Sequence, residues 1–235
     1  MNNEENRSVY VLTKYVKYQV CLAPDYVLVQ EKVKDQLIEK MQSLLPKMFG
    51  PNKDTMPRLV NEQHFDRVKR MLDEKHGGKV VEGGLDRADR RTKYLPPTLV
   101  VDPSSNSLMM SEEIFGPILP IIAVPNMDRA LEIIHGKENP LGAYVFTQTD
   151  SIAQTFLMEV PSGGGCVNDV FSHVRNKNLP FGGSGKSGIG AYGGKYSFDT
   201  FSHKQAVVEF HPSKDEGRLY PPFSPKMVGI LKSLL

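Results

Sequence analysis

The chain has 235 residues, of which 40% are hydrophobic and 24% charged, and its 29 basic residues nearly balance its 27 acidic ones. This composition is ordinary for a globular protein and argues against a disordered chain. The net charge of +2 gives no electrostatic basis for binding nucleic acid, which usually requires a strongly basic face. The two cysteines, Cys21 and Cys166, are too few for a disulfide framework and lack the spacing of metal ligands, so we expect no metal site.

Neither end of the chain has the pattern of a targeting or membrane-spanning segment. The opening residues MNNEENRSVY lack a basic stretch followed by an apolar one, and no apolar run approaches the roughly 18 residues that span a bilayer. The apolar tail, residues 227–235, is short and contains Lys232. Because free thiols suit a reducing compartment, we expect a cytoplasmic protein, with a peripheral position at a membrane surface as an alternative.

The first clear elements lie on either side of Glu31, where the apolar period changes from two residues to about 3.6. Residues 26–30 alternate as in a strand, and a helix is expected from Glu31 until Pro46 ends it. The residues predicted to face the core from this helix are Val33, Leu37, Ile38, Met41, Leu44 and Leu45. Residues 62–74 predict a second amphipathic helix, with Arg67 on its outer side.

Strands and helices then continue to alternate. The predicted strands are residues 79–82, 99–101, 118–124, 143–147 and 166–170, and the predicted helices are residues 127–135 and 151–160. This order is typical of βαβ units, so we expect an α/β fold with a doubly wound, mostly parallel sheet. Residues 204–210 (KQAVVEF) predict a lone strand with no partner along the chain, an arrangement that favours pairing with another chain.

Residues 183–188 (GSGKSG) match the G-x-G-x-x-G pattern of dinucleotide-binding loops. That motif should follow a strand and open a helix, whereas Leu179-Pro180-Phe181 precede it here and further glycines follow. The same residues resemble a P-loop, but Pro180 stands where that motif requires glycine. Neither nucleotide interpretation is favoured.

A lone cysteine is usually a small buried hydrophobic residue, so the sequence motifs must separate Cys21 from Cys166. Residues 19–26 (QVCLAPDY) resemble the segment of class 3 aldehyde dehydrogenases that carries the nucleophilic cysteine. Further motifs of that family follow in the family's order: VNEQHFDR at 60–67, EEIFGPILP at 112–120, VNDV at 167–170, LPFGG at 179–183 and SFDTFSH at 197–203. The likeness covers residues 18–210 and points to the fatty and aromatic aldehyde branch of the family.

The resemblance implies a set of roles. Cys21 would attack the aldehyde carbonyl to give a thiohemiacetal, and a thioester would remain after hydride transfer to NAD or NADP. Glu113 would accept hydrogen bonds from the nicotinamide ribose, Phe115 would pack beside the nicotinamide, and Asn168 and Phe181 would line the aldehyde pocket. Without the resemblance, Glu113 would read as a first-turn helix carboxylate and Phe115 as a core residue. Cys166 is expected to be structural.

The chain also departs from the family. Tyr18 occupies a position, three residues before Cys21, where the family usually has glycine, and tyrosine there adds bulk next to the nucleophile loop. The family's glutamate base, its oxyanion asparagine and its dinucleotide-binding domain all belong to a part that precedes the matched residues. Glu4 and Glu5 lack the motif that surrounds that base, so its role is not transferred to them.

The resemblance divides the chain into a divergent leader (residues 1–17), a catalytic domain (18–203), an oligomerisation strand (204–211) and a tail (212–235).

Two hypotheses for the function follow from the resemblance and from the departures. The first is an NAD(P)-dependent enzyme that oxidises fatty or aromatic aldehydes to carboxylic acids. The second is a truncated, inactive paralogue or isoform that acts as a subunit. Either would form a homodimer, or a heterodimer with a full-length relative. Met1 and the unfamiliar leader favour a genuinely short product or an incorrect gene model over a proteolytic piece.

Overall fold

A computed structural model describes residues 9–10, 19–49, 56–209, 211 and 221–233. The chain divides into two compact units, Met1–Thr200 and Phe201–Leu235. Most of the predicted leader, Tyr18, and residues 212–220 and 234–235 of the tail lie outside the described residues. Among the helices that are described, none is both long and apolar enough to cross a membrane.

Seven strands of the described chain form one sheet in the first unit, in the order β3-β4-β5-β2-β1-β6-β7. The strands are β1 (Val9–Tyr10), β2 (Val27–Gln30), β3 (Lys79–Glu82), β4 (Thr98–Val101), β5 (Ile118–Val124), β6 (Gly142–Phe146) and β7 (Gly164–Val167). Parallel pairing joins β4 to β5, β5 to β2 and β6 to β7, whereas β3 and β1 pair antiparallel with their neighbours. The predicted α/β fold with a mostly parallel sheet is confirmed.

The sheet contains one strand that the sequence did not reveal. β1 lies within the predicted leader and pairs with β2 on one side and β6 on the other. It therefore joins the two parallel parts of the sheet. Two residues are too few to show a periodicity, which is why pattern analysis missed this strand.

Helices cover both faces of the sheet. In the first unit they are α1 (Glu31–Phe49), α2 (Glu62–Asp73), α3 (Leu108–Ser111), α4 (Met127–His135), α5 (Asp150–Glu159) and α6 (Ser172–Arg175), and α7 (Lys195–Phe201) spans the boundary between the units. Because side chains alternate along a strand, Leu119 and Ile121 of β5 join the core around α1, whereas Ile118 joins the core around α2. Burial on both faces explains why β5 is an almost continuous apolar run.

Two details of α1 differ from the sequence prediction. The helix passes through Pro46 and continues to Phe49, which is buried in the core, so the burial of Phe49 offsets the hydrogen bond that proline cannot make. Leu44, predicted to face the core, is 38% exposed. Each residue turns the helix by about 100°, so Leu44 lies a quarter-turn away from the buried Leu45.

Two segments near the end of the matched region have little regular structure. The glycine-rich stretch holds only a short 3-10 turn, Gly185–Ser187, and an isolated bridge between Phe181 and Tyr192. In the second unit, residues 203–209 form neither helix nor strand in this single chain, and Val207 and Val208 are 75% and 89% exposed. The predicted oligomerisation strand stays a prediction, and Phe210 lies outside the described residues. The same unit ends with α8 (Pro225–Ser233).

Candidate active site

Cys21 lies in a tight turn directly before β2, and its side chain is exposed. The turn is closed by a hydrogen bond of 2.8 Å from the amide of Ala23 to the carbonyl oxygen of Val20. Cys21 opens onto a cavity of about 810 Å³. The polar groups that line this cavity include Cys21, Asp25, Glu113, Lys137, Asn139 and Tyr144. The structure therefore brings the candidate nucleophile and the candidate cofactor contact to one cavity.

Glu113 belongs to the loop of residues 112–117, which connects α3 to β5. Ile114 is 1% exposed in the core, whereas Glu113 and Phe115 on either side of it face outward. Since α3 ends before Glu113, this carboxylate does not cap the first turn of a helix. Phe115 has a left-handed backbone (φ 45°) and is 41% exposed, so it is not a core residue. Among the described residues Phe115 does not line the cavity.

Helix α2 holds this loop from one side. The guanidinium of Arg67 donates to the carbonyl oxygens of Glu113 (3.0 Å) and Ile114 (2.6 Å). Gly116 packs so closely on the same helix that a Cβ atom there would lie 3.0 Å from Cγ1 of Val68. Arg67 was predicted to point outward, but it is half-buried against the loop. The backbone that carries Glu113 is therefore fixed.

Asp25 holds the same loop from the other side. Its Oδ1 accepts a hydrogen bond of 2.8 Å from the amide of Ile114, which links positions 89 residues apart. Burial is the main cause that raises the pKa of Asp25 from 3.8 to about 6, and Glu113 adds to the rise. The hydrogen bond from Ile114 and the charges of Lys137 and Arg67 oppose it. A carboxyl group with a strongly perturbed pKa thus lines the cavity beside the candidate nucleophile.

Tyr144 on β6 forms a hydrogen bond to the turn that contains Cys21. It is 1% exposed, and its hydroxyl donates to the carbonyl oxygen of Leu22, the residue after Cys21, at 3.1 Å. Burial raises the pKa of Tyr144, so the hydroxyl keeps its proton and remains a donor. A Cβ atom on Gly142 would lie 2.7 Å from this hydroxyl, so the contact requires glycine at that position.

Lys137 supplies a positive charge to the cavity wall. Its ammonium group donates to the carbonyl oxygen of Met110 and lies 5.4 Å from the centre of the Tyr26 ring. Burial raises the pKa of Tyr26 to about 12. The cation–π contact and the hydrogen bond together place Lys137 where it lowers the energy of the ionised Asp25.

The structure does not bring the two predicted aldehyde-pocket residues to this cavity. Asn168 has a left-handed backbone (φ 56°), and its side-chain amide makes two hydrogen bonds with the backbone of Thr147, at 2.8 and 2.9 Å. Phe181 packs edge-on against Tyr192, with ring centres 5.3 Å apart. The described lining of the cavity contains neither residue, so their role in an aldehyde pocket stays a prediction.

Cys166 has a different environment from Cys21. It is half-buried, and its sulfur lies 3.3 Å from Nδ1 of His173. Burial lowers the pKa of His173, which favours the neutral ring. In the described part of the chain no group of three or more His, Cys, Asp or Glu residues could hold a metal ion.

Sequence analysis missed three residues that position the site: Asp25, Arg67 and Tyr144. Asp25 and Arg67 were visible inside the matched motifs, at the end of APD and of HFDR, but the motifs do not reveal which backbone groups they bind. Tyr144 lies in an apolar strand and carries no local signal, because its partner Leu22 is 122 residues away.

Comparison with known proteins assigns the chain to a family. Residues 12–207 match the aldehyde dehydrogenase family. The chain therefore belongs to the aldehyde dehydrogenase family, which is a family of oxidoreductases. Within it, the chain is similar to class 3 members. It is 43% identical over 222 residues to aldehyde dehydrogenase family 3 member H1 of Arabidopsis thaliana and 40% identical over 222 residues to family 3 member A2 of Rattus norvegicus.

The sequence comparison and the structure comparison both include a protein of Staphylococcus aureus. The chain is 40% identical over 211 residues to 4,4'-diaponeurosporen-aldehyde dehydrogenase of Staphylococcus aureus. It superposes on the substrate-bound structure of Staphylococcus aureus AldH with a TM-score of 0.82 at 38% identity, covering 94% of this chain and 49% of that one. The chain covers 45% of each of the three sequence relatives, so it spans about half of their length.

The raised pKa of Asp25 predicts a pH-dependent change in stability. Between about pH 4 and 6 the folded chain keeps a proton on Asp25 that the unfolded chain has lost, so stability falls as pH rises through this window and stays lower above it. Asp25→Asn keeps the acceptor for Ile114 but cannot ionise. We expect it to raise the free energy of unfolding by about 1–2 kcal/mol at about pH 7.5 and by much less at about pH 4.

Urea unfolding followed by circular dichroism at the two pH values measures this difference. Asp35→Asn, on the exposed face of α1, is the matched control and should show no such dependence on pH. A gain for Asp25→Asn that is equal at both pH values would contradict the account of Asp25.

Proposed function

We propose that this chain is the nucleophile-bearing catalytic part of an aldehyde dehydrogenase that oxidises aldehydes to carboxylic acids with NAD or NADP. One observation carries the proposal: Cys21 and Glu113 open onto the same cavity, on two loops joined by the hydrogen bond from Ile114 to Asp25. Fatty or aromatic aldehydes are the proposed substrates. Similarity to family 3 members and to an enzyme named for a diaponeurosporen-aldehyde supports this choice.

Cys21 performs the covalent chemistry in this proposal. Its sulfur attacks the aldehyde carbon to form a carbon–sulfur bond, and the carbonyl oxygen becomes an oxyanion. The backbone amide of Cys21 donates to that oxyanion, and the turn held by Tyr144 keeps the amide in place. Loss of hydride from the carbon leaves a thioester on Cys21. Hydrolysis then releases the carboxylic acid and restores the thiol.

The nicotinamide end of the cofactor fits the loop of residues 112–117. The exposed carboxylate of Glu113 can accept hydrogen bonds from the two ribose hydroxyls. Hydrogen bonds at the amide and the carbonyl oxygen of the adjoining Ile114 hold the backbone that carries this carboxylate. Phe115, exposed on the same loop, offers an aromatic face to the nicotinamide. NAD or NADP held by Glu113 and Phe115 would supply the hydride acceptor.

Association with a second chain is part of the proposal. The exposed Val207 and Val208 support pairing of residues 204–211 with another copy, or with a full-length relative. A chain that only pairs with such a relative would be the inactive subunit considered above. We also propose a cytoplasmic location, since both cysteines are free thiols. A peripheral position at a membrane surface is the alternative.

The two cysteines differ in environment, and this predicts which one reacts first. Cys21 is exposed at the cavity, whereas Cys166 is half-buried beside His173. We expect iodoacetamide to label Cys21 about tenfold faster than Cys166, because access and local charge control the reactivity of thiols. Timed alkylation with peptide mapping measures both rates, and Cys166→Ala isolates the fast phase. Equal rates, or faster labelling of Cys166, would refute the proposed role of Cys21.

Turnover requires more than the groups described in this chain. Orienting the cofactor against the substrate accounts for roughly 7–11 kcal/mol of barrier lowering, and a general base contributes about 10²–10⁴-fold. We therefore expect the purified 235-residue chain alone to form no detectable NADH from long-chain aldehyde and excess NAD. The assay is NADH absorbance, with Cys21→Ala as control. Clear turnover that disappears in Cys21→Ala would show that the chain alone is a complete enzyme.

A further inference from the structure

The backbone of Ile114 forms hydrogen bonds with side chains at both its amide and its carbonyl oxygen. Its amide donates to Asp25 at 2.8 Å, and its carbonyl oxygen accepts from Arg67 at 2.6 Å. The side chain of Ile114 is 1% exposed in the core that α2 covers. Arg67 comes from α2, whereas Asp25 comes from the short segment between the Cys21 turn and β2. In the described part of the chain, the Asp25 bond therefore links the backbone of Ile114 to the segment that follows Cys21.

The position of Asp25 in the chain gives that bond a specific effect. Asp25 lies four residues after Cys21 and two before β2, and both residues line the cavity. Any movement of the Glu113 loop relative to β2 must stretch or break the bond between Asp25 and Ile114. The bond therefore limits how far the segment that carries Cys21 and the loop that carries Glu113 can move apart.

We propose that Asp25 is a positioning residue that couples Cys21 to Glu113 through the amide of Ile114, and that its negative charge slows the reaction of the Cys21 sulfur with an added electrophile. This inference rests on the proposed function, because it gives Cys21 and Glu113 their roles.

The presence of a carboxyl group rather than an amide at this buried position supports a functional role for the charge of Asp25. An asparagine could accept the same hydrogen bond without the cost of burying a carboxylate. The charged groups that act on Asp25 are Glu113, Lys137 and Arg67, and burial outweighs the help of the two cations. A carboxyl group kept at such a cost beside a cavity is typical of a functional site.

Two variants separate the hydrogen bond from the charge. Asp25→Asn keeps the acceptor and removes the charge, whereas Asp25→Ala removes both. Asp102→Asn is the matched control, because Asp102 also accepts a backbone amide, that of Ala123, at 2.8 Å, but follows β4 at the opposite edge of the sheet. Circular dichroism verifies that each variant is folded.

Two measurements on the whole chain test the proposal. The first is the rate of Cys21 alkylation by iodoacetamide from about pH 5 to 8, and the second is hydrogen exchange at the amide of Ile114. We expect Asp25→Asn to raise the Cys21 rate about threefold at about pH 7, which is the effect of one charge removed across a solvated cavity. Exchange at Ile114 should not accelerate in this variant. Asp25→Ala should also accelerate Ile114 exchange about tenfold, since one hydrogen bond is lost.

Each result decides a separate claim. An unchanged Cys21 rate in Asp25→Asn, or unchanged Ile114 exchange in Asp25→Ala, would overturn the proposal, as would an equal effect of Asp102→Asn. If Asp25→Ala does not fold, the rate of Cys21 alkylation in Asp25→Asn from about pH 5 to 8 still tests the proposal. A rate equal to that of the unmodified chain at every pH would overturn it. Failure of the proposed function itself looks different, because Cys21 would then not react before Cys166 in the unmodified chain.

Discussion

The hydrogen bond between the carboxylate of Asp25 and the amide of Ile114 joins the two loops on which the candidate site depends. One loop precedes β2 and carries Cys21, and the other precedes β5 and carries Glu113. Because β2 and β5 are parallel neighbours, both loops reach the same edge of the sheet. Gly142, at the start of β6, brings a third segment to that edge, since β1 pairs antiparallel with both β2 and β6. The cavity is therefore built where three strands begin.

Close packing explains why the loops hold their shape. Gly142 leaves room for the hydroxyl of Tyr144 to reach Leu22, and Gly116 lets the Glu113 loop lie directly on α2. Protein interiors are packed too densely for a side chain to be added at either point without displacing a neighbour. Arg67 and Asp25 then fix the polar backbone groups that packing alone would leave unsatisfied. The exposed thiol thus lies on a rigid support rather than on a free loop.

Sequence patterns predicted those features that depend on local periodicity. The alternation of strands and amphipathic helices predicted the parallel sheet, and the motifs identified Cys21 and Glu113, which share one cavity. The sequence patterns did not predict features whose physical cause lies in residues distant along the chain or in elements too short to show a period. β1 is too short to show a period, Phe49 draws α1 past Pro46 through tertiary burial, and Arg67 turns inward because carbonyl groups 46 and 47 residues away accept from it.

An exposed thiol and a carboxylate line one cavity, and membership of the aldehyde dehydrogenase family suggests the reaction in which both would act. The central claim is that Cys21 forms a covalent bond with an aldehyde carbon, a step that requires no cofactor. Carbon-13 NMR of a long-chain aldehyde labelled at its carbonyl carbon observes this bond directly. We expect one thiohemiacetal resonance with the unmodified chain and its loss in Cys21→Ala. A resonance that persists in Cys21→Ala and disappears in Cys166→Ala would contradict the account.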